Sequence, residues 1–401
     1  MSSGAHRVVP AEVGSVPTEI TVFRPFAVAY HDDRGALVSR RDGFPRAAAP
    51  TQSVLTDHDP MAMNLKELSA HLGLSQTTVS RALNGYPEVS EATRLRVLQA
   101  AEETGYRPSP AARRLATGKA YALGMVFPVE RNVLMDPLFV DFLAGVSETA
   151  VRSNFDILIS PTTAEQEIDT YARLARNGTV DAVILSGPMI DDPRVELVQR
   201  LGFPAVVHGR SHFERPVAFL DIDNEDAFFQ AVRFLTQLGH RRIALINGDE
   251  RMTFAADRRR GMERALAAAG ISPDDQLWYA GAMTAENGYR FARAALAEAD
   301  PPTAVLGSSI LVGHGVLRAA AEAGVAVPDD LSLIVHDDDM PAFRADQMLP
   351  PLTTTRSSIR AAGARVAEMA LARMQGESAE TLQEVWPVEL VVRGSTAPPR
   401  R

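Results

Sequence analysis

From Tyr121 onward the chain alternates short apolar runs with amphipathic segments of helical period, and few architectures accept that pattern. The apolar runs are ALGMVF, DILIS, VDAVILS, PAVVHG and AFLDID, then RRIALING, TAVLGS, LSLIVHD and EVWPVELVVR. Helical stretches fall between them, from Leu138 to Arg152, Glu165 to Arg176, Glu225 to Leu238 and Ala255 to Ala269. Two more end at Ala323 and run from Ser357 to Gln375. Strands this apolar are buried on both faces, and helices between them imply parallel pairing through right-handed crossovers. Sheets of that kind bind ligands beyond the carboxyl ends of their strands. Gly187, Gly209, Gly248, Ser308 and Asp337 each follow a strand and mark where a pocket should lie. No glycine-rich phosphate loop follows the first run, which argues against a nucleotide site.

A different grammar precedes this region. In NLKELSAHLGLSQTTVSRALN, from Asn64 to Asn84, Asn64 stands three residues before Glu67, the reciprocal capping pattern of a helix start. Leu65, Leu68 and Leu72 form one apolar stripe, and Gly73 suits a left-handed exit. Ser75 can cap a second helix, Gln76 to Leu83, with Val79, Ala82 and Leu83 on its inner face. Two short helices joined by a tight glycine turn make a helix-turn-helix, whose second helix fits the DNA major groove. Its outer face carries Gln76, Thr77, Thr78, Ser80 and Arg81, none of them acidic. An ordinary helical hairpin with a polar outer face is the alternative. Ser90 then caps a third helix, Glu91 to Thr104, with Val97, Leu98 and Ala101 expected to face inward.

After Pro110, the segment Ala111 to Thr117 is about two helical turns, too short to be stable in water without a partner. Arg113, Arg114 and Lys119 make that partner anionic, and Leu115 among them suits a wedge into a minor groove. A solvated linker with one incidental leucine is the other reading. The net charge of −9 seems to oppose a nucleic-acid partner, but its distribution decides. Residues 61–120 hold eight Lys and Arg against five Asp and Glu, a balance of +3, so the negative charge lies elsewhere. Such a head must place a few contacts well, and its binding should weaken with salt.

At 401 residues, with 46% hydrophobic and 23% charged, the chain can bury more than one core. The absence of cysteine excludes disulfides and thiolate metal sites and fits a reducing cytoplasm. No apolar run approaches the roughly 20 residues of a membrane span. Residues 1–62 show no sustained period and read as a disordered leader, with Met61 or Met63 as a possible alternative start. The expected divisions are therefore a leader (1–62), a helix-turn-helix domain (63–107), a hinge linker (108–119) and a ligand-binding, dimerising body (120–398).

Taken in order, LSQTTVSRALNG, VSEATRLRVLQAAEETGYRP, LGHRRIALING, Arg258-x-x-Gly261, and VPDDLSLIVHDDDMPA with PPLTTTR resemble the LacI/GalR family of bacterial transcription regulators. The resemblance runs from about Met63 to Pro398. It implies an all-α helix-turn-helix head on an α/β, periplasmic-binding-protein-like body of two Rossmann-like subdomains. It further implies a cytoplasmic, nucleoid-associated homodimer on a near-palindromic operator in double-stranded DNA, and the lack of a heptad tail fits a dimer. By position, Gln76, Thr77 and Arg81 would read base edges, while Ser75, Thr78, Ser80, Asn84, Ser90 and Thr93 would hold phosphates. Leu115 matches the leucine that family members insert at the operator centre, with Ala112 on the same hinge helix. For the small-molecule effector the resemblance implies Asp136, Phe139, Arg258, Met283, Ser309 and Asp337. A sugar such as an α-glucoside is the expected effector, and no cofactor is implied. Ser109-Pro110, Ser309-Ile310 and Val335-His336 depart from the family pattern.

Other classes fit less well. A purine-type corepressor would reverse the sign of the response, and a sugar sensor without DNA affinity would leave the head unexplained. The run His336-Asp337-Asp338-Asp339 offers metal ligands, yet adjacent residues at a strand end point in different directions, which argues against an enzyme.

Overall fold

The computed structural model describes residues 30–31, 37–38, 63–106, 114, 117–131, 135–211, 213 and 215–400. The chain divides into two compact units, Met1–Pro60 and Met61–Arg401. In the first, β1 (Tyr30–His31) and β2 (Leu37–Val38) pair antiparallel, Tyr30 opposite Val38 and His31 opposite Leu37. This ladder falls in the stretch expected to be a structureless leader. Two residues per strand leave no alternation for a periodicity argument to detect.

The second unit begins with α1 (Leu65–Leu72), α2 (Gln76–Leu83) and α3 (Glu91–Glu103). The capping box is present: Asn64 Oδ1 accepts from the Glu67 amide at 3.0 Å, and the Asn64 amide donates to Glu67 Oε2 at 2.9 Å. Gly73 leaves α1 at φ +64°, a conformation glycine adopts without a side-chain clash. Leu68, Leu72, Val79, Ala82, Val97, Ala100, Ala101 and Tyr106 close a separate small core. Leu98, expected inside, is 44% exposed, and Ala100 takes the inward place. On this helix Val97, Ala100 and Ala101 sit at i, i+3 and i+4, so Leu98 falls to the side of the stripe.

The body contains two sheets. The first runs in the order β13-β7-β6-β5-β3-β4 and is wholly parallel. Its strands are β3 (Ala122–Pro128), β4 (Asp156–Thr162), β5 (Ala182–Ser186), β6 (Ala205–His208), β7 (Ala218–Ile222) and, from far along the chain, β13 (Gln383–Trp386). Helices α4 (Pro137–Arg152), α5 (Glu167–Arg176) and α6 (Pro193–Arg200) cover it. The second runs β14-β12-β11-β10-β8-β9, parallel except for β14. It consists of β8 (Ile243–Asn247), β9 (Leu277–Ala280), β10 (Ala304–Gly307), β11 (Ser332–Asp337), β12 (Thr353–Arg356) and β14 (Glu389–Val391). Around it pack α7 (Asn224–Leu238), α8 (Thr253–Ala268), α9 (Ala285–Leu296) and α10 (Ile310–Glu322). The last helix, α11 (Ile359–Met374), returns to the first sheet, where Val366, Ala367 and Ala370 join its core.

The chain therefore crosses between subdomains three times, near Asp223, near Ser357–Ser358 and near Pro387. The run EVWPVELVVR, read as one strand, is two, and its halves belong to different sheets. Pro387 separates them because proline lacks the ladder donor that a continuous strand needs.

Candidate functional site

On the head, Gln76, Thr77 and Arg81 are exposed along α2, and among the described residues their side chains take no hydrogen bond or ion pair. Ser75 Oγ accepts from the Thr78 amide at 3.0 Å and meets Thr78 Oγ1 at 2.8 Å. Ser90 Oγ likewise accepts from the Thr93 amide at 3.3 Å and meets Thr93 Oγ1 at 2.9 Å. These hydroxyls sit at the starts of α2 and α3, where free amides and the helix dipole favour an anion. Ser80 and Asn84 are half-buried, and Asn84 Nδ2 donates to the Ser80 carbonyl at 2.8 Å. Ala112 and Leu115 lie outside the described residues. Of their segment, Arg114 donates to the Asn177 carbonyl.

A cleft of about 360 Å³ opens between the carboxyl ends of the two sheets. Gly187, Gly209, Gly248 and Ser308, each just past a strand, line it as the strand-end rule expects. So do Asp136, Phe139, Arg258 and Met283. Ser309 and Asp337 do not; their neighbours Ser308 and Asp338 take those places. Ser309 instead caps α10, its Oγ accepting from the Val312 amide at 3.2 Å. Asp337 Oδ1 accepts from the Asp339 amide at 2.9 Å. Successive residues at a strand end face opposite ways, so a step of one position exchanges lining for support.

Arg258, like Arg194 on the other subdomain, is held in place on the cleft wall by several partners. Its Nε donates to Asn224 Oδ1 at 2.8 Å and its Nη1 to the Ser308 carbonyl at 2.7 Å. The rings of Phe228 and Phe254 lie 5.1 and 5.0 Å from the guanidinium carbon, within cation–π range. Burial lowers its pKa to about 10, against the charges of Asp338, Asp221 and Asp257, so it remains cationic. Burial pushes the Asp338 carboxyl up, but His336 and Arg258 outweigh that and hold it below the usual range. Burial, with the Arg258 charge, lowers the His336 pKa, and the ring lies between Thr355 Oγ1 at 3.0 Å and Ser357 Oγ at 3.2 Å. Asp339 turns away to Arg356 at 2.7 Å. Within the run, His336 Nε2 lies 3.4 Å from Asp338 Oδ1, while Asp337 and Asp339 turn to other partners.

The opposite wall carries aromatic rings among polar groups. Phe127 meets Phe139 edge to face at 4.8 Å, and His208 stacks on Phe142 at 4.5 Å. Burial lowers the His208 pKa to about 4, which keeps it uncharged. Asp136, the cap of α4, is raised by burial. A cation and a carboxylate on one side and ring faces on the other suit a ligand with hydroxyls along one edge and a flat apolar surface. The crossover serines Ser357 and Ser358 and the buried Asn224 also line the cleft and were missed from sequence. Asn224 stands at the start of α7 in D-x-D-N, a pattern that reads as a helix cap and nothing more.

A helical head with an exposed polar face and a body with a cleft between two subdomains fit a ligand-responsive DNA-binding protein. The comparisons place it more closely. Residues 64–109 match the family described as bacterial regulatory proteins, lacI family, and residues 232–396 match the periplasmic binding protein-like domain. The chain is 51% identical over 339 residues to the HTH-type transcriptional regulator AglR of Rhizobium meliloti (strain 1021), covering 84% of this chain and 95% of that one. It resembles the solved complex of the transcriptional regulator CelR with cellobiose, at 30% identity and TM-score 0.62, over 83% and 99% of the two chains. The lac repressor dimer bound to operator and an anti-inducer aligns at 25% identity and TM-score 0.71, over 84% and 99%. The chain belongs to the LacI family of bacterial regulatory proteins and is a DNA-binding transcriptional regulator.

Proposed function

We propose that the protein is a homodimeric repressor that grips an operator in the nucleoid and is controlled by a sugar in the cleft. The observation that carries this reading is the pairing of a fixed, buried Arg258 with the anionic Asp338 opposite a wall of phenyl rings. Guanidinium donates to ring oxygens, carboxylate accepts from hydroxyls, and aromatic faces cover the C–H surface of a pyranose. Cellobiose in the related CelR complex supports a glucoside, and the lac repressor dimer on operator supports a two-fold assembly. In the head, Gln76, Thr77 and Arg81 read bases, the capped starts of α2 and α3 hold phosphates, and Leu115 with Ala112 enters the minor groove.

Coupling of about 1–3 kcal/mol between the two sites changes operator affinity roughly 5- to 150-fold. The test is retention of the wild-type operator, selected from random duplexes, with α- and β-linked glucosides added across a salt series. Release by one sugar class is the expected result; tighter binding would mark a corepressor. A protein that no sugar shifts, on DNA it demonstrably binds, refutes the sugar reading. Leu115→Ala should weaken operator binding at least tenfold while leaving sugar affinity of the free protein unchanged.

A further inference from the structure

Five polar side chains, four of them buried, form a closed ring around the first crossover between subdomains. Arg258 on α8 reaches Asn224 at 2.8 Å. Asn224 Nδ2 donates to Asp221 Oδ1 at 3.3 Å and to the Ile222 carbonyl at 3.3 Å. On its other oxygen Asp221 faces Arg210 Nε at 3.6 Å, and Arg210 Nη2 lies 3.9 Å from Asp257 Oδ2. Asp257 precedes Arg258 on the same helix, which closes the circuit. Asp221 and Arg210 belong to the first sheet and its loops, Asp257 and Arg258 to α8 over the second, and Asn224 to the joint. Asp221, Asn224, Asp257 and Arg258 are all at most 6% exposed, whereas Arg210 is partly open.

We infer that Asn224 is the positioning residue that carries cleft occupancy into the subdomain angle. Its carbonyl holds the guanidinium a ligand would engage, while its amide holds β7 of the first subdomain. A ligand drawing on Arg258 therefore pulls on Asp221 through one amide group. The second path, Asp257 to Arg210, ties the same helix to the same carboxylate, so α8 cannot tilt without changing both distances. Buried polar networks of this kind have discrete arrangements, because leaving any member unpaired costs about 1–3 kcal/mol. The inference rests on the cleft being the effector site, but its test does not require the effector.

The chain lacks cysteine, so spin labels can be placed cleanly at Glu196→Cys and Glu298→Cys, one exposed site on each subdomain. Inter-label distances and affinity for the selected operator are measured on the full-length protein without sugar, then with maltose and with cellobiose. Asn224→Asp keeps the acceptor for Arg258 but sets a carboxylate against Asp221. It should shift the distance distribution and change operator affinity at least fivefold. The double variant Asp221→Asn, Asn224→Asp restores an amide against a carboxylate and should recover most of that change. If Asn224→Asp does not fold, Asp221→Asn alone should move both readouts. Distances and operator affinities within twofold of wild type, with or without a lower melting temperature, would overturn the inference. A wild type indifferent to every sugar, with ring variants still shifting distance and DNA affinity, would defeat the effector reading and leave the ring intact.

Discussion

Asp221 is where a single group most visibly sets a property of the whole. Burial raises its pKa from 3.8 to about 6, despite Arg210 and Arg258 nearby and with Asp257 adding to the rise. A carboxyl whose folded pKa is raised contributes stability that is full below the unfolded value and is lost as pH climbs through the folded one. Relative to Asp221→Asn, the wild type should therefore lose about 2 kcal/mol between pH 4 and pH 7. Melting both proteins across that range checks the sign; a difference that grows in the opposite direction contradicts it. His208 works the other way, since its pKa falls to about 4 and acid must charge a buried ring. At this scale the sequence was informative about type and weaker about position. Arg258, which stood out in R-x-x-G, lines the cleft, whereas Ser309 and Asp337 lie one residue from the lining Ser308 and Asp338. Strand-end alternation is invisible until the strand's last paired residue is known.

Among elements, the helix pair α4 and α11 shows how tightly the first subdomain is drawn together. A Cβ added at Gly145 would sit 1.9 Å from the Arg360 carbonyl oxygen, and one at Gly363 2.1 Å from that of Phe142. Neither neighbour is a side chain that can swing aside. Gly363→Ala should destabilise the body by about 1–3 kcal/mol or more, read as a lowered melting temperature. An unchanged melting temperature would mean that the helices slide freely. The head has its own core, so Leu68→Ala should cost it about 2–5 kcal/mol and abolish operator retention while sugar titration of the body is unaffected. Caps and apolar stripes made α1, α2 and α3 readable almost to the residue. The edge strand β9 and its helix α9 were missed because Leu277, Trp278 and Tyr279 are only partly buried and the run is four residues long. Helix α6 was missed as well, although Asp192-Pro193 is a cap followed by a first-turn proline.

For the molecule as a whole, the three crossovers are the parts that any change of subdomain angle must bend. Two of them are joined directly, the Asp223 amide donating to the Trp386 carbonyl at 2.9 Å, while the Ser357 and Ile359 amides tie the second to the end of β11 through the Asp337 and Asp338 carbonyls. A motion at the first crossover therefore bears on the third, where the last strands return from the far end of the chain. That the chain would cross three times was not legible, because pairing between β13 and β7 depends on contacts more than 160 residues apart. The alternation of strands and helices specified the layers but not which sheet each late strand would join.

Trp386, at the end of β13 and packed partly against the first subdomain's core, reports on the third crossover directly. The measurement that tests the central claim is a titration of the operator complex with a binding sugar, recording Trp386 emission and DNA release in one sample, with Trp278→Phe to isolate the signal. The account predicts that both change together, with one midpoint, and that the midpoint moves with operator concentration as linkage requires. A sugar that saturates the emission change while the DNA stays bound with unaltered affinity would contradict it.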